Sequence, residues 1–436
     1  MIRRTAKILA WTTAGTVAAA AAAGGLFAWR LAQGPIALDP LTPYVERALS
    51  DPQGRYRVDV GRLVLSWVDE EESDGLTRLD LRAIDVHAVN AEGDELAAVP
   101  ELGVGFSVRA LFLGKLSPTR LDLVRPRLQV VRRADGSLDF DVRSLPSPGE
   151  PDKEEPEGGP DFAGEIVSTL LQPPDIGRPL GLLRRLSIMG ADLTVTNRML
   201  GLSWHASRAD IVLTRDGTEI VGGAQLLLDL DGRTAAVEAS GRHRMADSAT
   251  ALSTRFEGLQ PAALAKIGPM LAPLSAVTVP IGGRIDATLD SRFEPVRFAF
   301  DLHGAAGEVS LPALRPDPYR VERARLRGSL DVPGRRAELE RLDLAFDGMA
   351  LAGRGDLREQ GGQRGGSLEL GLTAGGRTAS LALDGTQIQG KGVSVAARLD
   401  GLVPAALTGL APALAPLAGA QLPLSGAATV ELDADW

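Results

Sequence analysis

The chain has 436 residues, a formal net charge of -9 and a sequence pI of about 5.2. Its charges are scattered along the sequence, which argues against nucleic acid as a partner. The sequence contains no cysteine, which excludes disulfides, cysteine-zinc sites and thiol catalysis, while its 50 glycines and 28 prolines are typical of many short strands and turns.

Residues 1–34 are predicted to be a cytoplasmic tip and a transmembrane anchor. Arg3, Arg4 and Lys7 precede the stretch Ile8–Trp29, which contains no charged residue. A helix of that length spans about 33 Å, which is enough to cross a hydrocarbon core. The preceding positive charges predict a cytoplasmic N-terminus, with the body after Arg30 across the membrane. The alternative is a signal peptide, for which the three alanines at 21–23 would form the cleavage site. In either case the body of the protein would be exported across the membrane.

Residues 35–145 are predicted to be a β segment that begins with a short helix. Asp39-Pro40 indicates a helix start, so we expect a helix over Leu41–Leu49. From residue 58 onward the apolar period changes to two, with turn signals at 74–75, 92–93 and 135–136. This alternation is typical of antiparallel sheet with one apolar and one solvated face.

Residues 146–160 read PSPGEPDKEEPEGGP and have no periodicity. A segment so rich in Pro, Gly and Glu is predicted to be a disordered linker. Asp161 can then cap a short amphipathic helix, whose apolar side would contain Phe162, Ile166, Val167, Leu170 and Leu171.

Residues 161–436 are predicted to be repeating β-groove units, because the strand pattern resumes after Pro173-Pro174 and one segment occurs twice. Phe256–Phe293 and Leu399–Trp436 align without a gap, with 15 of 38 positions identical. Because prolines and glycines recur at the same positions in both segments, we expect the two segments to have the same backbone conformation, as in stacked repeats. Within it, Pro261–Leu271 and Pro404–Leu414 are predicted to be short helices that cap the sheet. The second unit stops soon after its opening motif, which predicts that the sequence is part of a longer protein.

More than twenty strands in sequential hairpins cannot remain one flat exposed sheet. We therefore predict an all-β fold with one N-terminal transmembrane helix, in which an elongated, curved antiparallel sheet forms a hydrophobic groove with short capping helices. Such a groove is costly in water unless acyl chains fill it. An ordinary β-sandwich with a dry core is the alternative that periodicity alone leaves open.

Several segments resemble the AsmA-like proteins, and in particular their long YhdP-like branch. The resemblance is carried by residues 34–67, by 99–140 with the step at 110–116 and the DGSL motif at 135–138, by 183–197 (LRRLSIMGADLTVTN) and by the duplicated Pro/Gly motif. It covers nearly the whole chain after residue 34. The acidic insertion at 146–160 departs from the family pattern.

This resemblance implies a β-groove protein anchored in the inner membrane, with its body in the periplasm, similar to bridge-like lipid transfer proteins. It implies that phospholipid acyl chains are the ligand and that phospholipid moves toward the outer membrane. The outer-membrane contact would lie in a C-terminal portion absent from this sequence. The alternative is a non-enzymatic structural or assembly factor of the cell envelope with a dry core.

The expected lining of the groove consists of apolar residues in the alternating strands, of which Phe106, Leu123, Phe298 and Phe300 lie mid-strand with polar residues next to them or one residue away. The expected lining residues are Leu65, Leu81, Val104, Phe106, Leu121, Leu123, Val130, Phe140, Leu193, Leu213, Leu228, Leu289, Phe298, Phe300, Leu344, Phe346, Leu370 and Leu383.

Catalytic and metal-binding patterns have no positive support in the sequence. The four histidines, at 87, 205, 243 and 303, lie far apart and lack partners at metal-ligand spacing. The acidic residues around 69–74 are interpreted as a loop between strands. Gly361-Gly362 and Gly365-Gly366 lack the Lys and Ser/Thr of a P-loop and are interpreted as a hairpin turn. We predict no enzyme activity, no cofactor and no metal.

Overall fold

The structure is a computed structural model of the chain. It describes residues 25–26, 29–31, 33–50, 56–68, 78–90, 95–107, 118–132, 138–142, 169–175, 180–199, 201–230, 232–388 and 392–432. Strands account for 65% of the structure, and the helices are few and short. The chain divides into two units, of which the first is residues 1–129 with 140–192 and the second is residues 130–139 with 193–436. The expected all-β class is therefore confirmed.

In the first unit a short helix precedes a sheet of long strands. A 3-10 turn at Asp39–Leu41 leads into helix α1 at Thr42–Leu49, as the Asp39-Pro40 signal predicts. The helix is tied to the second strand because Val60 N–H donates to Glu46 Oε1 at 2.9 Å and Val58 N–H donates to Ser50 Oγ at 2.8 Å. The strands as far as β8 are β1 (Ile36–Ala37), β2 (Tyr56–Val68), β3 (Arg78–Asn90), β4 (Glu95–Ser107), β5 (Pro118–Val124), β6 (Arg127–Arg132), β7 (Leu138–Val142) and β8 (Arg185–Asn197). Residues 130–132 of β6, 138–139 of β7 and 193–197 of β8 belong to the second unit.

Strands β1 to β5 pair in sequence as antiparallel neighbours. The first part of β8 then pairs with β5 in parallel, with Leu121 opposite Leu186. Strand β6 also pairs with β8. The alternation in the sequence predicts antiparallel strands and does not predict this parallel pair, which joins strands more than sixty residues apart in the sequence.

The second unit contains one long, curved, unclosed antiparallel sheet. Its strands are β9 (Leu202–Asp216), β10 (Glu219–Leu230), β11 (Arg233–Arg244), β12 (Ala249–Leu259), β13 (Ile281–Leu289), β14 (Pro295–Gly304), β15 (Gly307–Val309), β16 (Tyr319–Asp331), β17 (Arg336–Phe346), β18 (Met349–Gln360), β19 (Gln363–Ala374), β20 (Arg377–Ile388), β21 (Gly392–Leu402) and β22 (Leu424–Leu432). Each strand pairs with the next, except that β14 and the short β15 both pair with β16.

Two of the described hairpins in this sheet have a two-residue turn made of two glycines. Gly375 and Gly376 both have positive φ, at 57° and 76°, between the paired residues Ala374 and Arg377. Such a turn matches the twist of a hairpin and requires residues without a Cβ clash. Gly361-Gly362 forms the same kind of turn, as predicted, whereas Gly365-Gly366 lies inside β19.

The duplicated segment has the same local structure at both positions. The first module (residues 260–280) contains helix α2 at Pro261–Leu264 and a 3-10 helix at Pro269–Ala276. The second module (residues 403–423) contains 3-10 helices at Pro404–Leu407 and Pro412–Gly419. Equivalent hydrogen bonds recur, for example from Ala262 N–H to Val277 O at 3.0 Å and from Ala405 N–H to Ala420 O at 3.1 Å.

The helices of the two modules are shorter than predicted. The expected spans Pro261–Leu271 and Pro404–Leu414 are each interrupted before their second proline. The residues preceding those prolines, Gly268 and Ala411, are extended, with ψ of 161° and 147°. A following proline disfavours the helical conformation, so each module folds as two short turns.

Some predicted features fall outside the described residues. These are most of the anchor, the linker at 146–160, the turns at 74–75, 92–93 and 135–136, and most of the helix after Asp161, of which only 169–171 are described as helical. Within the described ranges, no helix is long and apolar enough to cross a membrane.

Candidate functional site

One face of the second unit's sheet is apolar from β9 to β22. The pairing register places alternate residues of each strand in rows that cross the sheet, and three such rows contain no charged side chain. Row A is Ala209, Leu226, Val237, Phe256, Gly283, Leu302, Leu326, Leu342, Gly353, Leu370, Leu381, Leu399 and Gly426. Row B is Ile211, Ala224, Ala239, Thr254, Ile285, Phe300, Gly328, Leu339, Gly355, Leu368, Leu383, Ala397 and Ala428. Row C is Leu213, Gly222, Gly241, Leu252, Ala287, Phe298, Leu330, Ala337, Leu357, Gly366, Gly385, Val395 and Val430.

We call these three rows the apolar face. At about 4.8 Å per strand, thirteen strands carry it over about 58 Å across the sheet, and three rows span about 13 Å along each strand. Thr254 is its one hydroxyl-bearing member.

Several glycines in the apolar face lie under larger side chains from adjacent strands, whereas Gly385 and Gly426 have no such neighbour within 4 Å. A Cβ on Gly222 would lie 2.6 Å from Leu213 Cδ2, and a Cβ on Gly353 would lie 2.8 Å from Leu370 Cδ2. Likewise a Cβ on Gly328 would lie 2.9 Å from the ring of Phe300. Large side chains therefore lean over the backbone of their neighbours, which makes the surface apolar even where a residue has no side chain.

Accessibility increases across the apolar face from row A to row C. Phe256 in row A is 7% exposed, whereas Leu330 and Leu357 in row C are 40% and 59% exposed. The gradient arises because the modules cover the end of the strands next to row A. Ala263, Leu264 and Ile267 of the first module pack against the cluster around Phe256, and Ala406 and Leu410 of the second module pack against the cluster around Phe346.

The second module is held in place by polar contacts from Tyr319, the first residue of β16, and from Arg315 just before that strand. Tyr319 Oη donates to Leu410 O at 2.6 Å, and an Arg315 guanidinium N–H donates to Gly409 O at 3.1 Å. Arg315 also stacks on the Tyr319 ring at 3.9 Å and pairs with Asp347 at 2.5 Å. This set of contacts fixes the cover over one end of the strands.

The opposite face of the same sheet carries charged side chains. These form ion pairs, some within one strand and others between neighbouring strands. Examples are Arg284 with Asp286 at 2.9 Å and Arg354 with Glu369 at 2.6 Å. Exposed pairs of this kind contribute little to stability, but they keep this face in water. The sheet of the second unit is therefore amphipathic, with one wet face and one apolar face.

A hollow of about 650 Å³ lies on the charged face rather than on the apolar face. Its lining includes Asp301, Arg325, Arg341 and Asp343, and these charges form the pairs Arg325–Asp301 and Arg341–Asp343. The apolar face itself is mostly half-exposed in rows B and C and is covered by the modules at the end next to row A.

The first unit has a smaller apolar face of the same kind. Leu65, Leu81, Val104, Leu121 and Leu186 are successive neighbours in one row across β2, β3, β4, β5 and β8. The next row contains Leu63, Ala83, Leu102, Leu123 and Ile188. Helix α1 contributes Val45 to the cluster around Leu63, so part of this face is a packed core.

A charged cluster occupies the other face of the first unit. Arg82 pairs with Asp80 at 3.0 Å and with Glu101 at 3.3 Å, and Arg120 lies 2.5 Å from Asp122. Burial raises the pKa of Asp122 despite the neighbouring Arg120, whereas the hydrogen bond to Asp80 raises the pKa of Arg82. The cluster is internally paired, and we assign it a structural role.

The register places most of the predicted lining residues on these two faces. Leu65, Leu81, Val104, Phe106, Leu121 and Leu123 share the apolar side of the first unit. Phe300 and Leu383 lie in row B, Leu213 and Phe298 lie in row C, and Leu370 lies in row A. Leu289 lies on the same side one position beyond row C, opposite Thr250.

The remaining predicted residues lie elsewhere. Leu228, Leu344 and Phe346 lie on the apolar side but within the clusters under the modules, where they are packed rather than open. Leu193 is buried, and Val130 is half-buried in β6. Phe140 lies in β7, and its side chain is outside the described residues.

Sequence reasoning missed many members of the apolar face, among them Leu226, Leu302 and Leu326. Their alternation was visible in the sequence, but membership of one continuous surface depends on register. Bulges at Phe256/Leu259 and at Leu339/Leu342 shift that register and cannot be read from composition.

The described residues include no group of three or more His, Asp or Glu placed to hold a metal ion. His243 lies 2.9 Å from Thr250 Oγ1, and His303 lies 3.1 Å from Glu257 Oε2. No protein-family model, no curated protein and no solved structure matches this chain.

Proposed function

We propose that the chain binds the acyl chains of phospholipids on the apolar face and carries them along it, as part of a bridge between the inner membrane and the outer membrane. The observation that carries this proposal is the run of three rows across thirteen strands without a charged side chain. A purely structural sheet needs apolar residues only where another layer covers them. Here the half-exposed rows B and C extend well beyond the two modules.

The energetics of an acyl chain fit a surface of this extent. Removing a 16-carbon chain from water is worth on the order of 12 kcal/mol, at about 0.8 kcal/mol for each CH₂. A chain that lies on the apolar face recovers the part of this energy that belongs to its covered side, and it does so only where the apolar contact is continuous. One unpaired carboxylate in its path would cost several kcal/mol, since the charge loses its hydration.

The proposed location of the protein rests on its N-terminal sequence, and the proposed direction of lipid movement rests on the resemblance described above. Arg3, Arg4 and Lys7 before the uncharged stretch Ile8–Trp29 support an inner-membrane anchor with the body in the periplasm. We propose no enzyme activity, cofactor or metal for this function.

The first test is to purify the full chain and measure bound phospholipid by mass spectrometry. We expect phospholipid to co-purify in a fixed ratio to protein. A chain that folds and contains no lipid, and that takes up none from vesicles of phosphatidylethanolamine and phosphatidylglycerol, would contradict the proposal and favour the structural alternative.

The second test places a barrier across the apolar face. Leu381→Asp with Leu383→Asp introduces two charges in rows A and B of β20. The matched control is Ser380→Asp with Thr386→Asp, which adds the same charge to exposed positions on the other face of the same strand. We expect the barrier variant to fold and reach the membrane but to fail in lipid delivery, while the control supports delivery. Equal delivery by both variants would refute a path along this face.

A further inference from the structure

The side of the sheet that carries the apolar face becomes polar beyond row C. Glu359 of β18 lies two residues beyond Leu357 of row C, so it is on the same side of the sheet and about 7 Å further along the strand. Arg364 of β19 is directly opposite Glu359, and Gln387 of β20 is the next neighbour. We call the row at this position, two residues beyond row C on each strand, the rim.

Two arginines share one carboxylate at the rim. Arg335, in the turn before β17, donates from Nη1 to Glu359 Oε1, and Arg364 donates from Nε to Glu359 Oε2 at 3.0 Å. The hydrogen bond from Arg364 lowers the pKa of Glu359, so this carboxylate is ionised at neutral pH. The three side chains therefore carry one positive charge in excess, in a chain whose formal net charge is -9.

On the charged face, the neighbouring arginines of the same strands have a carboxylate each. Arg336 and Arg358 are directly opposite each other on β17 and β18. Arg336 lies 3.1 Å from Glu338, and Arg358 lies 3.1 Å from Asp356. The excess of positive charge at this end of the two strands therefore belongs to the rim.

The backbone holds Arg335 in a conformation that is unusual for a residue with a side chain. Its φ is 47°, in the left-handed region. Its N–H donates to Val332 O at 3.1 Å, and its carbonyl oxygen accepts from the Glu359 N–H at 2.9 Å. These bonds place Arg335 beside Glu359, so the two arginines are preorganised for an anion.

The rim is also the end of the apolar face at which a charged group can remain in water. The opposite end, next to row A, is covered by the modules. At the rim end Leu357 is 59% exposed, and the side chains of Arg335 and Arg364 are 65% and 64% exposed. The acyl chains of a phospholipid gain by leaving water, whereas its phosphate loses by leaving it. A lipid whose acyl chains lie on the apolar face therefore presents its phosphate at the rim.

We propose that Arg335 and Arg364 bind the phosphate group of a phospholipid whose acyl chains lie on the apolar face, an inference that rests on the proposed function. A guanidinium group has five N–H donors, and Glu359 accepts from one nitrogen of each arginine. The remaining donors are accessible and match the geometry of phosphate oxygens. Glu359 holds the two arginines side by side, and the excess positive charge attracts the anion.

The experiment measures how well two lipids displace a fluorescent diacylglycerol from the purified full chain. One lipid is phosphatidylglycerol, and the other is diacylglycerol with the same acyl chains and no phosphate. The test variant is Arg335→Gln with Arg364→Gln. The matched control is Arg336→Gln with Arg358→Gln, which removes the same charge from opposed positions on the other face of β17 and β18.

We expect the test variant to bind phosphatidylglycerol at least about tenfold more weakly than the wild type, because charge-assisted hydrogen bonds to the phosphate are lost. Its affinity for diacylglycerol should be unchanged, and the control should bind both lipids as the wild type does. Adding Glu359→Gln to the test variant removes the carboxylate that is left unpaired, and weak binding of phosphatidylglycerol should persist. Recovery of binding in this triple variant would attribute the loss to repulsion from Glu359 and would overturn the proposal.

Two other results separate this inference from the proposed function. Unchanged affinity of the test variant for phosphatidylglycerol, or an equal loss for both lipids, would overturn the phosphate site and leave the apolar face as a lipid path. A wild-type chain that binds neither lipid would overturn the proposed function and this inference with it. If glycerol phosphate without acyl chains cancels the preference for phosphatidylglycerol at equal concentration, the ligand is a soluble phosphate ester and the proposal is wrong.

Discussion

Two phenylalanines on the same side of the second unit's sheet are expected to respond in opposite ways to truncation. Phe346 is 8% exposed and packs with Val279, Val321 and, edge to face at 6.1 Å, with Tyr319. Phe298 lies in row C, half-exposed between Ala287 and Leu330. We therefore expect Phe346 to support the covered end of the strands and Phe298 to contact ligand.

The magnitudes follow from burial. Phe346→Ala removes a ring from a packed cluster and leaves a cavity, which costs about 3–5 kcal/mol. Phe298→Ala removes a ring that is already partly in water, so the loss is about 1 kcal/mol. A repeating sheet can open locally, so the effect is expected in β16–β18 rather than across the whole chain.

The assay is native-state hydrogen exchange of the amides in β16–β18, with bound phospholipid measured on the same samples. We expect Phe346→Ala to accelerate exchange on the order of 100-fold or more and to leave lipid bound per folded protein unchanged. Phe298→Ala should accelerate exchange by about tenfold at most and should reduce bound lipid. Similar acceleration by both variants, or loss of lipid with Phe346→Ala alone, would refute the division into a packed end and an open face.

Three further changes test the structural account. Tyr319→Phe removes the hydrogen bond to Leu410 O, so we expect faster exchange of the Leu410 amide, corresponding to about 1 kcal/mol. An unchanged rate would contradict the role of this contact in holding the second module in place. Gly355→Ala should destabilise β18 because the new Cβ would lie 2.5 Å from Ser367 O. Gly385→Ala should not destabilise its strand, since no atom lies within 4 Å of the new Cβ, and urea unfolding of both variants measures the difference. Burial raises the pKa of Asp122, so the folded protein binds a proton at this carboxyl group more tightly than the unfolded chain does. The contribution of Asp122 to the free energy of unfolding therefore falls as the pH rises from the pKa of the unfolded chain to the pKa of the folded protein. Asp122→Asn should remove that dependence, and identical pH slopes for the wild type and the variant would show that the reasoning is wrong.

The strands could be predicted from the sequence because alternation survives tertiary packing. Leu228 and Leu230 flank Asp229, and the face that these two leucines share with Leu226 is the same whatever strand lies beside them. The start of α1 could be predicted for a similar reason, since Pro at the first turn acts locally.

The position of each apolar residue along its strand could not be predicted. Alternation puts Phe346 and Phe298 on the same side of the sheet, but only tertiary packing makes Phe346 part of the core. Val279 of the first module lies in its cluster, and Ala406 and Leu410 of the second module pack against that cluster. The parallel pairing of β5 with β8 was missed because it joins segments far apart in the sequence, and no local pattern encodes such a return.

The central claim, that acyl chains lie along the apolar face, is tested most directly by site-specific photo-crosslinking. A photoreactive amino acid is placed at Phe300, Leu368 or Leu383 in row B, and at Arg284, Glu369 or Asp384 on the charged face as matched positions. After irradiation in cells grown with labelled phospholipid, we predict lipid adducts at all three row B positions and none at the charged positions. Adducts on both faces, or on neither, would contradict the account.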